Sequence, residues 1–385
     1  MLGSALYYPY IDIRDPVWLR AALLFWDKLH TIVPSKIEKP YESADSDICS
    51  KEGYLSPVRC GDHLGVIDEL SKRTVDLLNV DSLPVPVNVQ TARSEPNLTE
   101  LLRAFRSGTR SQLHRDKLGR SLLHPEKLSY QLREVFERAK TAKNGDWLLV
   151  NESFSDIYMA ALALLLADKT DLSPVTSSSS NHGSAIISML AGSAPTDDTR
   201  KGALVSLTMK GLVVDPKTKI DKILKFKRKR NDQLIEFSTK LDDLKKKLEG
   251  AADLREMEEK ATRVYRTQIH RGLEKLASEL RDVSIQNAWG GFYRGVFFTL
   301  PAQSLVAGVA AAVPGALSPV SQAIAIGVGG LLTVTDVAIK TLFARRQARK
   351  ASPFTYLLDA KNAFSLPSES SALSIIQEYE QLPAQ

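Results

Sequence analysis

"LYYPYIDIRDPVWLRAALLFWDKLHTIVP" spans Leu6 to Pro34, and its reading decides the fold class of the chain. "LYYPYI" is aromatic and β-favouring, which suits a short strand. Asp15 and Pro16 then mark a helix start. A carboxylate at the cap accepts from the free N–H groups of the first turn, and proline suits the first helical position. Trp18, Ala22, Phe25 and Leu29 recur at steps of four, three and four, a single apolar stripe. "TIVP" closes a strand–helix–strand unit. At this spacing Tyr7, Tyr8, Tyr10, Trp18 and Trp26 read as core rather than as a ligand box.

Further along, "EGYLSPV", "LPVPVNV" and "DWLLVN" read as short strands or extended connectors, with Pro84 and Pro86 arguing against a central strand. "HLGVIDELSKRTVDLL", "NLTELLRAF", "EKLSYQLREVFERA" and "SDIYMAALALLLAD" read as helices. "SPVTSSSSNHGS" (Ser173–Ser184) has the composition of a surface loop, and "ALVSLTMKGLVV" (Ala203–Val214) reads as a returning strand.

The stretches "LYYPYIDIRDPVWLRAALLFWDKLHTIVP", "LHPEKLSYQLREVF", "WLLVNESFSDIYMAALALLLAD", "SPVT" and "IDKILKFKRKRNDQL" occur in that order. Together they resemble a bacterial family of uncharacterised proteins, a domain of unknown function. The resemblance covers roughly residues 5 to 280, and its most specific part is the opening YYPYI-x-I-R-D-x-x-W-L motif. It implies a bacterial cytosolic origin and an α/β front followed by long helices. It supplies no catalytic residues.

From Ile220 the apolar residues fall at Ile223, Leu234, Phe237, Leu241, Leu244 and Leu248, with Lys227 and Arg230 at the expected seam positions. Gly250 breaks this helix, and Asp253 with Glu256 forms a capping box for the next. That helix carries Leu254, Met257, Ala261 and Val264, slips by a residue, and resumes at Ile269, Leu273, Leu276, Leu280 and Val283. Two arms of about 30 residues would make a rod roughly 45 Å long. The rod is either a coiled-coil arm or a pair of helices packed on the body. Seam cations at Lys227 and Arg230 would open the hairpin locally or meet an acidic partner.

A 40-residue stretch, Val296–Thr335, contains no Asp, Glu, Lys or Arg, in a chain that is 25% charged. Pro301, Pro314 and Pro319 divide it, leaving Ala302–Val313 and Val320–Thr335 as two short apolar helices around a Pro-Gly turn. Spanning ~30 Å of hydrocarbon takes about 20 apolar residues, so a hairpin describes the stretch better than one span. Its apolar surface is carried by Val296, Phe297, Phe298, Leu305, Val309 and Val313, then by Leu317, Ile324, Ile326, Leu331 and Leu332. Small residues four apart, such as Ala307/Ala311 and Ala323/Gly327, let two helices approach closely. Arg294 precedes the stretch, and Arg345, Arg346, Arg349 and Lys350 follow it. On insertion both ends would stay on the positive cytoplasmic side. The alternative is the dry centre of a helical bundle.

The formal net charge is +6 and the pI is near 9.1. The excess is local. Lys219–Arg230 holds seven basic residues and one Asp, and Arg345–Lys350 holds four more basic residues, so the remainder is net negative. The basic patch is therefore Lys225, Lys227, Arg228, Lys229 and Arg230, with Arg345, Arg346, Arg349 and Lys350. Such patches attract phosphates of lipid or nucleic acid.

Nothing points to catalysis. G-x-S-x-G, P-loop and dinucleotide glycine patterns do not occur, and the six histidines are never four apart. "ADSD" and "YIDIRD" offer carboxylate pairs with no third acid or lysine beside them. Cys49 and Cys60 form no Cys-x-x-Cys pattern and read as reduced thiols. "MLGSALYYPYIDIRD" has no basic region ahead of an apolar core, so no secretory signal is expected.

These readings set the expectations. The chain is mainly α, with a smaller α/β domain (1–215), a charged helical hairpin (216–288), an apolar helical hairpin (289–350) and a C-terminal helix and tail (351–385). It is non-enzymatic, with no cofactor, metal or catalytic residues. It acts through an anionic membrane or through assembly with itself or a protein partner, in the bacterial cytoplasm or associated with the inner face of the cytoplasmic membrane. That layout suits a toxic or phage-defence effector. The alternative is a soluble module whose basic helix binds nucleic acid or an acidic protein.

Overall fold

The computed structural model describes residues 2–79, 120–177, 184–192, 194–280 and 352–364. It is mostly helical, with an N-terminal α/β region built on a four-stranded parallel sheet.

The opening motif forms the strand–helix–strand unit its pattern predicts, except that the helix stops at Phe25, so Leu29, the last residue of the expected stripe, lies in a strand. Strand β1 (Ser4–Tyr8) ends at a cis Tyr8–Pro9 bond, helix α1 (Pro16–Phe25) follows, and β2 (Lys28–Val33) pairs parallel with β1. Asp15 accepts from both Val17 N and Trp18 N at 2.9 Å. A cap of this kind contributes about 1 kcal/mol. Helix α2 (Ala44–Lys51) leads to β3 (Leu55–Arg59), and a 3₁₀ turn, Cys60–His63, to α3 (Leu64–Asn79). A second, antiparallel sheet holds β4 (Arg120–Leu123), β5 (Lys143–Asn144) and β6 (Trp147–Asn151), in the order β4-β6-β5, with α4 (Tyr130–Arg138) between its first two strands. Helix α5 (Glu152–Thr170) then returns the chain to β7 (Ser173–Thr176), which pairs parallel with β1.

The parallel sheet has the order β3-β2-β1-β7. Four of the five residues of β1 are buried, and all four of β7, as expected when helices cover both faces. Each edge strand carries a proline, Pro57 in β3 and Pro174 in β7. An edge strand tolerates the missing N–H that a central strand would not.

Two sequence readings need correction here. "SPVT" is the buried strand β7 and not part of a loop. "ALVSLTMKGLVV" does not return as a strand, because α7 (Asp197–Lys210) runs through it, capped by Thr196. Residues 202–209 are all buried, so this helix shows no apolar face, and periodicity has nothing to detect. Helix α6 (Ser184–Ala191) lies between β7 and α7 in the chain and packs on α5.

Beyond residue 216 come α8 (Ile220–Lys229), α9 (Asn231–Lys245), α10 (Leu254–Val264), a π-helical turn (Tyr265–His270), α11 (Arg271–Glu279) and α12 (Thr355–Phe364). Gly250 takes φ +70° at the break. Asp253 accepts from Glu256 N at 2.8 Å, and Glu256 reaches back to Ala252 N at 2.8 Å. The one-residue slip between Val264 and Ile269 is absorbed by the π turn, whose longer repeat keeps both residues inward. The first arm is not one straight helix. It is interrupted at Arg230, which takes φ −110° between the two helices. These helices pack on the body: α8 on α1, α9 and α10 on α7, and α12 on α9 and α11. One continuous apolar core runs from Leu2 to Phe364.

Candidate functional site

Helix α8 divides its residues cleanly. Ile220, Ile223 and Leu224 are buried, while Lys222, Lys225, Arg228 and Lys229 are exposed. Lys217 and Lys219, just before the helix, are exposed as well. At 3.6 residues per turn, Lys219, Lys222, Lys225 and Lys229 fall within an arc of about 120° and extend over ~15 Å. Among the described residues none of these four makes an ion pair. Lys222 lies 5.7 Å from the centre of the Phe364 ring. Asp221 is the acidic residue of this helix and is also exposed.

Two cations of the same run face inward. Lys227 is buried, donates to Trp26 O, and lies 3.5 Å from Asp27 Oδ1. Burial pulls its ammonium down from the usual lysine value, and Asp27 works against that shift. Arg230 is half-buried, with Nε 3.1 Å from Asp359 Oδ2 on α12. Within the fold these two seam cations are met by Asp27 and Asp359.

These contacts complete the end of α1. The last carbonyls of a helix lack intrahelical donors. Tyr356 on α12 donates its hydroxyl to Leu24 O at 2.5 Å, and Lys227 on α8 donates to Trp26 O. A buried positive charge there also complements the helix dipole. Rings reinforce the junction: Phe226 and Phe364 have centroids 4.9 Å apart, and Phe25 and Tyr356 6.1 Å.

A second junction joins α11 to α12. A Cβ on Gly272 would fall 2.1 Å from Cε2 of the buried Phe354 ring, so only glycine admits this approach. Leu280 lies eight residues further along the chain, about 12 Å at 1.5 Å per residue. The chain on either side of residues 281–351 is therefore tied to the body within about 12 Å of this contact. The segment Val296–Thr335 and Arg345, Arg346, Arg349 and Lys350 lie outside the described residues. So do "LPVPVNV", "NLTELLRAF", His114 and His182. Among the described residues no helix is long and apolar enough to cross a membrane.

The carboxyl edge of the parallel sheet is where doubly wound folds place ligands, at the point where strand order reverses. Here that point lies between β1 and β7. Tyr7 Oη and Ser177 Oγ sit 2.7 Å apart across it, and the Tyr7 ring lies 4.6 Å from Trp18. The β1–α1 turn presents the Asp15 carboxylate where a phosphate-binding turn presents free N–H groups. Asp12 holds Ser43 N at 2.8 Å, Asp45 pairs with the buried Arg20 at 2.5 Å, and Asp47 pairs with Lys51 at 2.6 Å. The candidate carboxylates are therefore engaged in structural contacts. Of the aromatic set, Tyr7, Tyr8 and Trp26 are buried and Trp18 partly so, while Tyr10 is 44% exposed.

Both cysteines are free and buried; burial pushes Cys49 up to about 12 and Cys60 up to about 11. His30 meets Ser56 Oγ at 3.1 Å, and His124 caps a 3₁₀ turn through Glu126 N. Among the described residues no group of three or more His, Cys, Asp or Glu is placed to hold a metal ion.

Sequence reasoning found the basic run and set Lys227 and Arg230 at seam positions, where they do turn inward, but it did not find their partners Asp27 and Asp359. The exposed face adds Lys217, Lys219 and Lys222 to Lys225, Arg228 and Lys229. The signal for that face was present in the steps of three and four that separate it from Ile220, Ile223 and Leu224. No family model matches the chain, and no curated protein or solved structure matches it either.

Proposed function

We propose that this chain is a non-enzymatic, membrane-active protein whose uncharged stretch, Val296–Thr335, enters a bilayer as an apolar helical hairpin. The α/β unit and the packed helices form the platform that carries it. One observation carries the reading: Phe354, just after residues 281–351, packs on Gly272, on the helix that leads toward them. An excursion that leaves and returns on one face of a body can enter a ~30 Å hydrocarbon layer only as a re-entrant or two-pass hairpin. That agrees with prolines dividing the stretch and with arginines on both flanks, which favour keeping both ends on one side.

The test is release of dye from neutral phosphatidylcholine vesicles by the full chain, compared with the double variant Val309→Asp/Leu331→Asp. A buried aspartate at mid-helix costs about 3 kcal/mol on insertion, so the variant is expected to lose release. A wild-type chain that stays wholly in the soluble fraction would sink the reading. A discrete soluble oligomer, broken by the same substitutions, would show instead that the stretch is an assembly surface.

A further inference from the structure

We infer that the outer face of α8 is a docking surface for an anionic bilayer, engaging lipid phosphate and carboxylate headgroups through Lys219, Lys222, Lys225 and Lys229. This rests on the membrane reading above and assigns the surface that brings the body to the membrane. Four cations share one arc of a surface helix and, among the described residues, none is neutralised by an ion pair. The acids facing this helix from its neighbours are already committed: Asp27 to Lys227 and Asp359 to Arg230. Asp221 is left as the opposing charge on the helix itself.

The chemistry of the face favours lipid over nucleic acid. All four cations are lysines, compact charges suited to diffuse attraction and not to bidentate readout of bases. Single-stranded nucleic acid is held on exposed aromatic platforms. Phe226, the aromatic residue of α8, instead packs on Phe364 and Tyr356 inside the junction. Position adds a further argument. Helix α12 runs from the Gly272–Phe354 anchor to Phe364 beneath Lys222. Its ten residues make it about 15 Å long. The lysine face thus lies one short helix away from Phe354, on the C-terminal side of residues 281–351.

The experiment is co-sedimentation of the full chain with vesicles of phosphatidylcholine alone or with added phosphatidylserine. The variant is Lys219→Glu/Lys225→Glu/Lys229→Glu, three exposed side chains that make no ion pair among the described residues. The matching glutamine triple guards against misfolding, with circular dichroism as the check. Each lysine near an anionic leaflet contributes about fivefold in partitioning. The glutamate triple is therefore expected to bind anionic vesicles at least about a hundredfold more weakly, with added salt weakening the wild type in the same direction. Partitioning into neutral vesicles should be unchanged. Undiminished binding of the folded triple to anionic vesicles overturns the inference, as does a loss confined to duplex DNA. Dye release from neutral vesicles reads the uncharged stretch alone, so failure there removes the insertion reading without imitating failure of the lysine face.

Discussion

Tyr356→Phe removes one oxygen and leaves the ring. In the native fold that hydroxyl donates to Leu24 O at 2.5 Å, and Tyr356 is 0% exposed. Leu24 lies in the last turn of α1, so its carbonyl has no intrahelical donor. The neighbouring donors are committed, Trp26 N to Ala22 O and Lys227 Nζ to Trp26 O. The variant leaves a dry acceptor. The ring contacts with Phe25 at 6.1 Å and Phe226 at 5.9 Å should persist, so no cavity contribution enters. An orphaned buried carbonyl costs about 1–3 kcal/mol. Taking about 2 kcal/mol, the opening equilibrium of α12 rises roughly thirtyfold. Two measurements read this. The urea midpoint should fall at constant slope, and amide exchange across Thr355–Phe364 should accelerate by a comparable factor. Adding Lys227→Met, which uncaps the carbonyl two residues on, should give a non-additive double variant, since both side chains close one helix end. A midpoint shift worth less than about 0.3 kcal/mol, within the usual scatter for independent sites, would refute the reasoning. It would mean that Leu24 O finds another donor or that the helix end is wet.

Three further outcomes follow from the same contacts. Asp15→Ala strips the cap from α1 and should cost about 1 kcal/mol in urea unfolding, with Asp15→Asn recovering most of it. Lys127 is buried and its ammonium is pulled down to about 8 by desolvation. Between that value and the unfolded lysine value near 10.5 the unfolded chain binds the extra proton, so stability should rise with pH. Over pH 8 to 9 the gain is on the order of 1 kcal/mol, and Lys127→Met should flatten it. Because Cys49 and Cys60 are pushed up from 9.0 to about 12 and about 11, their thiolate fractions at pH 8 are lower by about a hundredfold or more. Native-state labelling by a disulfide reagent should slow accordingly and recover in urea.

The parts legible in the sequence were those with a local cause. Asp15, Pro16 and the spacing of Trp18, Ala22 and Phe25 placed α1, and the one-residue slip between Val264 and Ile269 falls where the π turn is found. The parts that were not legible had distant or ambiguous causes. "SPVT" became strand β7 because β1 lay waiting far back in the chain, with Tyr7 opposite Val175, and nothing local marks four residues at the head of a serine-rich run as buried. Helix α7 is buried all round, so its apolar run carried no period. For the candidate site, the alternation of lysine with isoleucine and leucine exposed the outer face of α8. The seam positions of Lys227 and Arg230 were legible too, but their partners Asp27 and Asp359 were not, because no window of sequence brings them alongside.

The end of α1 has a consequence for the order in which the chain can mature. Its two terminal carbonyls wait for a lysine about two hundred positions downstream and a tyrosine more than three hundred positions downstream. Domains commonly fold as they emerge from the ribosome. Here the first helix emerges early but cannot be sealed until translation has passed Tyr356. Through most of synthesis the nascent sheet layer therefore stays open at one corner, a window in which a chaperone or a premature stop would decide its fate.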